Sequence, residues 1–178
     1  MTVGGDAGHG VEGATLVLRR MRRDDLPFFT DEETKSAFDD FGFSWFHRLA
    51  EQFDRPQPAT DPTRFVVETK AGEVVGMVSW HWVSYGPNDE SRGVNIGITL
   101  RVAARGKGYG TEAQRLLADH LFATTNTFRV EASTDVENIA EQRALEKAGF
   151  TREGVLRAAQ MRSGVRHDIV VYSRLRTD

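Results

Sequence analysis

The stretch that most constrains this chain runs from Asn95 to Ala113 and reads NIGITLRVAARGKGYGTEA. An apolar, β-prone run passes into a loop with glycine at 106, 108 and 110, and the loop opens a helix. Glycines at that spacing let successive backbone N–H groups point into one concavity, and the helix N-terminus adds partial positive charge. Arg105 and Lys107 bring full charges. A strand that ends where a helix begins, with an anion cradle between them, belongs in an α/β architecture. The cradle suits a phosphate or pyrophosphate. It is not a Walker A loop, because no Gly-Lys-Ser/Thr follows at the required spacing. It is not the dinucleotide fingerprint, because Thr111 stands where the third glycine belongs. The plain alternative is a Gly-rich turn with solvated charges.

Elsewhere the periodicity predicts strands over residues 15–20, 65–69, 73–83, 93–100 and 128–132, with two more within 154–175 around Ser163-Gly164. Helices are predicted from Arg23 to Thr30, over 44–53, over 111–123 and over 138–147, the last stopped by Gly149. The order is β, α, α, β, β, β, α, β, α, β, β. The middle hairpins are antiparallel, and the helical connections late in the chain predict parallel neighbours there. The fold class is therefore α/β with a mixed sheet. Residues 1–13 are Gly-rich and poor in bulky apolar side chains, which predicts a disordered tail before one domain over 14–178.

Composition excludes several function classes. The 178 residues contain no cysteine, so a disulfide scaffold, a zinc–thiolate site, an iron–sulfur cluster and a thiol nucleophile are ruled out. Metal ligation is not expected. A net charge of −3 gives no electrostatic footprint for nucleic acid. No apolar run is long enough for a membrane span. The N-terminus lacks the basic and apolar regions of a secretory signal, so a cytoplasmic location is the expectation.

The segment from Arg105 to Ala113 resembles the pyrophosphate loop of the GNAT superfamily of acyl-CoA-dependent N-acyltransferases. A second match is similar to that family's later helix: NIAEQRALEKAGF, from Asn138 to Phe150. The variant resembles the Rim-type branch, which includes acetyltransferases of ribosomal-protein N-termini. The likeness covers about residues 14–175. It implies a central mixed, mostly antiparallel sheet, splayed in the middle, with helices on both faces. It implies acetyl-CoA or another acyl-CoA as co-substrate, and a primary amine on a small molecule or a protein N-terminus as acceptor. By the same resemblance, the backbone of Leu100, Arg101 and Val102 would pair with the pantetheine arm. Arg105, Gly106, Lys107, Gly108, Tyr109, Gly110 and Thr111 would hold the pyrophosphate, Tyr109 serving mainly to pack the loop. Asn138 would contact the pantetheine or thioester end, and Arg143 would reach the nucleotide phosphates or form a surface ion pair.

Direct attack of an amine on a thioester needs a base for the ammonium proton and donors for the acyl oxygen. Here the chain departs from the family. The position where many members carry an acidic tyrosine is Leu145, and the branch's usual serine is Glu141. Glu141 is then either a base or an ordinary helix-surface carboxylate, the latter preferred. Asn95 can bind but cannot act as a base. His81 has a suitable pKa class, with a partly buried structural histidine as the plainer reading. Glu131 and Asp135 could line the acceptor side. Phe38, Phe41, Phe43, Trp45 and Phe46, with Trp80 or Trp82, would shape the acceptor pocket unless they are simply core. Glu33, Asp39 and Asp40 would suit a cationic amine. The leading expectation is an N-acetyltransferase, monomeric or homodimeric. The alternative is a catalytically silent CoA-binding module of the same fold.

Overall fold

A computed structural model describes residues 10–53 and 64–178. The strands are β1 (Val11–Glu12), β2 (Leu16–Arg20), β3 (Arg64–Thr69), β4 (Val74–Ser84), β5 (Arg92–Leu100), β6 (Arg129–Asp135), β7 (Thr151–Arg162) and β8 (Val165–Leu175). The helices are α1 (Asp31–Thr34), α2 (Trp45–Phe53), α3 (Tyr109–Thr124) and α4 (Ile139–Lys147), with a 3₁₀ helix over Arg23–Phe29. The strands form one sheet in the order β1-β2-β3-β4-β5-β6-β8-β7. Among the described pairs only β5 and β6 run parallel.

Two expectations are corrected. The expected tail reaches too far: Val11 pairs with Leu18 and Glu12 with Val17, and Val11 packs on the core. A two-residue strand carries no periodicity, so composition hid it. Residues 1–9 lie outside the described residues. The α4 connection also does not make its flanking strands neighbours. It carries the chain past one sheet position, and the tight turn at Ser163 and Gly164, both at positive φ, returns β8 antiparallel into that gap.

The 3₁₀ helix forms where an α-helix start was predicted. Its first turn is closed by the Asp25 carboxylate, which accepts from the Arg22 N–H at 2.7 Å and pairs with the Arg19 guanidinium at 2.8 Å.

Strand alternation divides the sheet into two apolar faces. On one face Leu18, Val78, Trp80, Ile96 and Val130 pack against α3 and α4 through Leu117, Leu121 and Leu145. On the other, Val66 and Val74 pack against Leu26 and Phe29 of the 3₁₀ helix and Leu49 of α2. Both faces of the central strands are thus covered, as a largely buried sheet requires.

Candidate active site

The site begins with a break in the sheet. β5 pairs with β6 only from Val94 to Ile96, against Val130 to Ala132. Both strands continue beyond that point without pairing, β5 to Leu100 and β6 to Asp135. A V-shaped gap opens, and the N-terminus of α3 sits at its mouth. Gly110 in the first turn of α3 sits beside the end of β5, its Cβ position 3.5 Å from Leu100 Cδ1.

N–H groups alternate sides along a strand. The Arg101 N–H donates to the Val75 carbonyl on the β4 side, at 3.0 Å. The Leu100 N–H therefore points the other way, into the gap. The strand ends at Leu100, and Val102 begins a 3₁₀ turn with its side chain 50% exposed. Of the three residues expected at the strand end, Leu100 lines the cleft. Arg101 and Val102 do not. The Arg101 guanidinium is instead bonded to Glu33 and to the Val74 carbonyl.

Gly106 and Gly108 adopt φ of 74° and 84°, a conformation that favours glycine, and nothing lies within 4 Å of either Cβ position. Among the described residues, none of the backbone N–H groups from Gly106 to Thr111 has a protein acceptor. Six donors converging at a helix start, with open space before them, fit a pyrophosphate. The Tyr109 ring packs against the core, leaving its N–H to the cradle. Lys107 is exposed beside the loop.

Arg105 stands outside that row, because its backbone N–H donates to the Val102 carbonyl at 3.3 Å, and its side chain points to another task. It donates to the Leu100 carbonyl at 3.1 Å, to Thr34 at 2.9 Å and to Lys35 at 2.7 Å. It bolts the chain after α1 across the end of β5. Residues 35–43 then run over the gap as a strap. On the far side Arg162 donates to the Ala37 carbonyl at 3.2 Å, and Ser163 bonds Asp40 through both its N–H and its hydroxyl. Arg162 is itself held by the buried Asp135 carboxylate. No sequence signal pointed to these tethers, because they join residues far apart in the chain.

Strap, gap and α4 enclose a cleft of about 1000 Å³, at the upper end of the roughly 300–1000 Å³ usual for ligand sites. Asn138 lines it and caps α4. Its Oδ1 accepts from the Glu141 N–H at 3.3 Å, and its Nδ2 donates to Thr134 Oγ1 at 3.0 Å. Arg143 and Lys147, one turn apart, line its outer end. Glu141 faces the cleft while protein surrounds it elsewhere. Burial pushes its carboxyl up to about 7, a contact with the Gln114 amide draws it partly back, and the charge of Asp39 adds to the rise. Asp39, on the strap, is itself raised by desolvation, against the pull of Arg105, Ser36 and Arg162. The ordinary helix-surface reading of Glu141 does not survive this placement. Leu145 lies fully buried in the core, away from the cleft.

A second cavity of about 340 Å³ adjoins the first and shares Asp39, Phe43, Gly97 and Thr99 with it. Its floor is the opposite face of the sheet, through Met77 and Ser79. Phe41 lines the larger cleft and stacks on Phe43 at 6.1 Å. Trp45 lies in α2, with its side chain outside the described residues. Trp80 and Trp82 do not reach either cavity. Trp80 is buried against Phe65 on the α3 face, and Trp82 is 41% exposed under Arg92. His81 pairs in register with Asn95 but is exposed and lines neither cavity. Asn95 does line the cleft. Its Nδ2 donates to Glu131, which also accepts from Tyr85 and Arg129.

A split sheet with a donor-lined helix start at its mouth is the architecture found here, and comparison with known proteins places it in a family. The family model described as acetyltransferase (GNAT) domain matches residues 15–151. The chain belongs to that family. It is 41% identical over 83 residues to the probable N-acetyltransferase YjcK of Bacillus subtilis (strain 168), covering 47% of this chain and 46% of that protein. The chain spans about half the length of the curated relatives it matches. Among solved structures, the spermidine N-acetyltransferase of Vibrio cholerae, in complex with CoA and spermine, superposes with a TM-score of 0.74 at 22% identity, covering 93% of this chain and 98% of that one. RimJ of Mycobacterium smegmatis, in complex with CoA-disulfide, superposes with a TM-score of 0.71 at 22% identity, covering 91% and 82%. At these identities the structural likeness shows the fold.

Proposed function

We propose that this chain is an acyl-CoA-dependent N-acetyltransferase that acts on a primary amine by direct transfer. The observation that carries the reading is the row of six N–H groups, Gly106 to Thr111, without a protein acceptor among the described residues, in a loop that lines the cleft. These would hold the pyrophosphate, with Arg143 and Lys147 flanking the nucleotide end. Asn138 and the Leu100 backbone would hold the pantetheine arm inside the gap. When bound, acetyl-CoA supplies an activated thioester whose acyl carbon forms the new C–N bond as the C–S bond breaks. A chain without cysteine has no thiol to carry the acyl group, which supports a direct route.

Glu141 is the base we assign. A carboxyl held near 7 can take the ammonium proton at neutral pH and return it, and its place in the cleft lining supports that role. The Leu100 N–H, pointing into the gap, is the donor for the developing charge on the acyl oxygen. His81 is withdrawn from the catalytic set. Asn95 is kept as a polar wall of the cleft.

The test is a thermal shift. Ligands that bind only the folded state stabilise it, by about 2.7 kcal/mol at a hundredfold excess over Kd. For a domain of this size that is a rise of roughly 5–10 °C in Tm. Acetyl-CoA should produce it, and millimolar acetyl-CoA without a shift would sink the reading. Release of CoA thiol in the presence of amines then separates an enzyme from a silent binder.

A further inference from the structure

The smaller cavity carries charges of both signs, and among the described residues no carboxylate pairs with two of its cations. Asp31, Asp39 and Asp40 line it together with Lys35, Arg48 and Arg64. Asp40 is engaged by Ser163, and Asp31 accepts from the Phe46 N–H at 3.4 Å. Arg64 is half-buried, and no carboxylate or carbonyl among the described residues bonds its guanidinium. Burial lowers its pKa from the ordinary arginine value. Arg48 lies 3.6 Å above the Phe43 ring, and among the described residues no hydrogen bond or ion pair engages its head group. A desolvated, uncompensated guanidinium is costly and conspicuous. A planar fork of donors of this kind matches a carboxylate or phosphate.

The register gives the spacing. Arg64 pairs with Ser79, and Ser79 with Gly97, so the three stand in one row across β3, β4 and β5. At about 4.8 Å per strand, Arg64 Cα lies roughly 10 Å from the gap at Gly97. Arg64, Ser79 and Gly97 all line the smaller cavity, and Gly97 lines the larger cleft as well, so the row links the Arg64 end to the gap over two small residues.

We propose that the acceptor is a short zwitterionic amine: an amine with a carboxylate or phosphate a few bonds away, its nitrogen directed to the gap and its anionic end held by Arg64 and Arg48. This rests on the N-acetyltransferase reading and names the acceptor class for that site. The balance of three carboxylates and three cations around one cavity suits such a ligand better than a polycation, which would meet Arg64 and Arg48 directly.

The test compares matched amines by CoA thiol release from the full-length protein: β-alanine against propylamine, phosphoethanolamine against ethanolamine, and lysine against spermidine. We expect kcat/KM at least tenfold higher for one or more anion-bearing partners. The carboxylate and phosphate pairs distinguish the two kinds of anion. In Arg64→Gln and, separately, in exposed Arg48→Gln, KM for the preferred acceptor should rise about tenfold while the Tm rise with acetyl-CoA persists. That persistence confirms folding and an intact donor site. Equal rates within every pair, preference for spermidine, or turnover of none of these amines would overturn the proposal. Any of those outcomes with the acetyl-CoA shift retained leaves the donor-site reading standing. Loss of the shift in the unaltered protein would bring down both.

Discussion

The guanidinium of Arg105 joins the carbonyl of Leu100, at 3.1 Å, to the strap that covers the cleft. One side chain thus fixes both the end of β5 and the start of the segment over the gap. In Arg105→Met the strap loses two charge-assisted bonds to Thr34 and Lys35. We predict that KM for acetyl-CoA and for the acceptor both rise, by about tenfold, the equivalent of ~1.4 kcal/mol. Steady-state kinetics varying each substrate in turn checks this. A change confined to kcat would assign Arg105 to the chemical step instead.

Glu141→Gln should cut kcat/KM by roughly a hundredfold, the low end of what general acid–base catalysis contributes. It should also erase the limb of the pH–rate profile near 7, where the unaltered enzyme gains activity as the carboxyl loses its proton. A profile unchanged in the variant would remove Glu141 from catalysis.

The same carboxyl makes a prediction about stability. Its folded-state value of about 7 lies above the ordinary 4.5, so between those pH values the folded chain binds the proton more tightly. The contribution is present below 4.5 and is lost as pH rises to 7. Going from pH 5 to pH 8, the unaltered protein should therefore lose Tm relative to Glu141→Gln. Melting curves of both at the two pH values read this directly.

Gly110→Asp separates the anion cradle from the fold. The added Cβ meets only ordinary contacts near Leu100, and an acidic residue in the first turn of a helix is favourable by about 0.3–1 kcal/mol. Tm without ligand should hold or rise. Affinity for CoA should fall roughly a hundredfold through like-charge repulsion of the pyrophosphate. Titration calorimetry with CoA decides it.

Asp135 and Arg162 form an ion pair whose side chains are only 2% and 3% exposed. Asp135→Asn keeps the shape and leaves Arg162 uncompensated. Such losses cost about 3–5 kcal/mol, so the midpoint of chemical denaturation should drop sharply. The hairpin tip that holds Asp40 should loosen with it.

Much of this architecture is local and was legible. The glycine spacing from 106 to 110, the helix after it and the helix predicted from Asn138 are all decided by neighbours within one turn of chain. What escaped was long-range. The strap depends on contacts spanning 70 residues from Lys35 to Arg105 and 125 residues from Ala37 to Arg162. Trp80 and Trp82 were expected at the acceptor pocket, but strand alternation does not say which face carries the cleft. The helices α3 and α4 claimed the Trp80 face, leaving Met77 and Ser79 to the acceptor side. Glu141 looked like a surface carboxylate because helical spacing alone cannot reveal that the strap lies over it.

The most direct test of the central claim is CoA thiol release, followed with a thiol-reactive dye. A chain with no cysteine gives no background of its own. With acetyl-CoA and an accepted amine, the unaltered protein should release thiol in proportion to enzyme, and Gly110→Asp should release almost none. Equal release by the two proteins, or none from the unaltered one across the amine panel, would contradict the account.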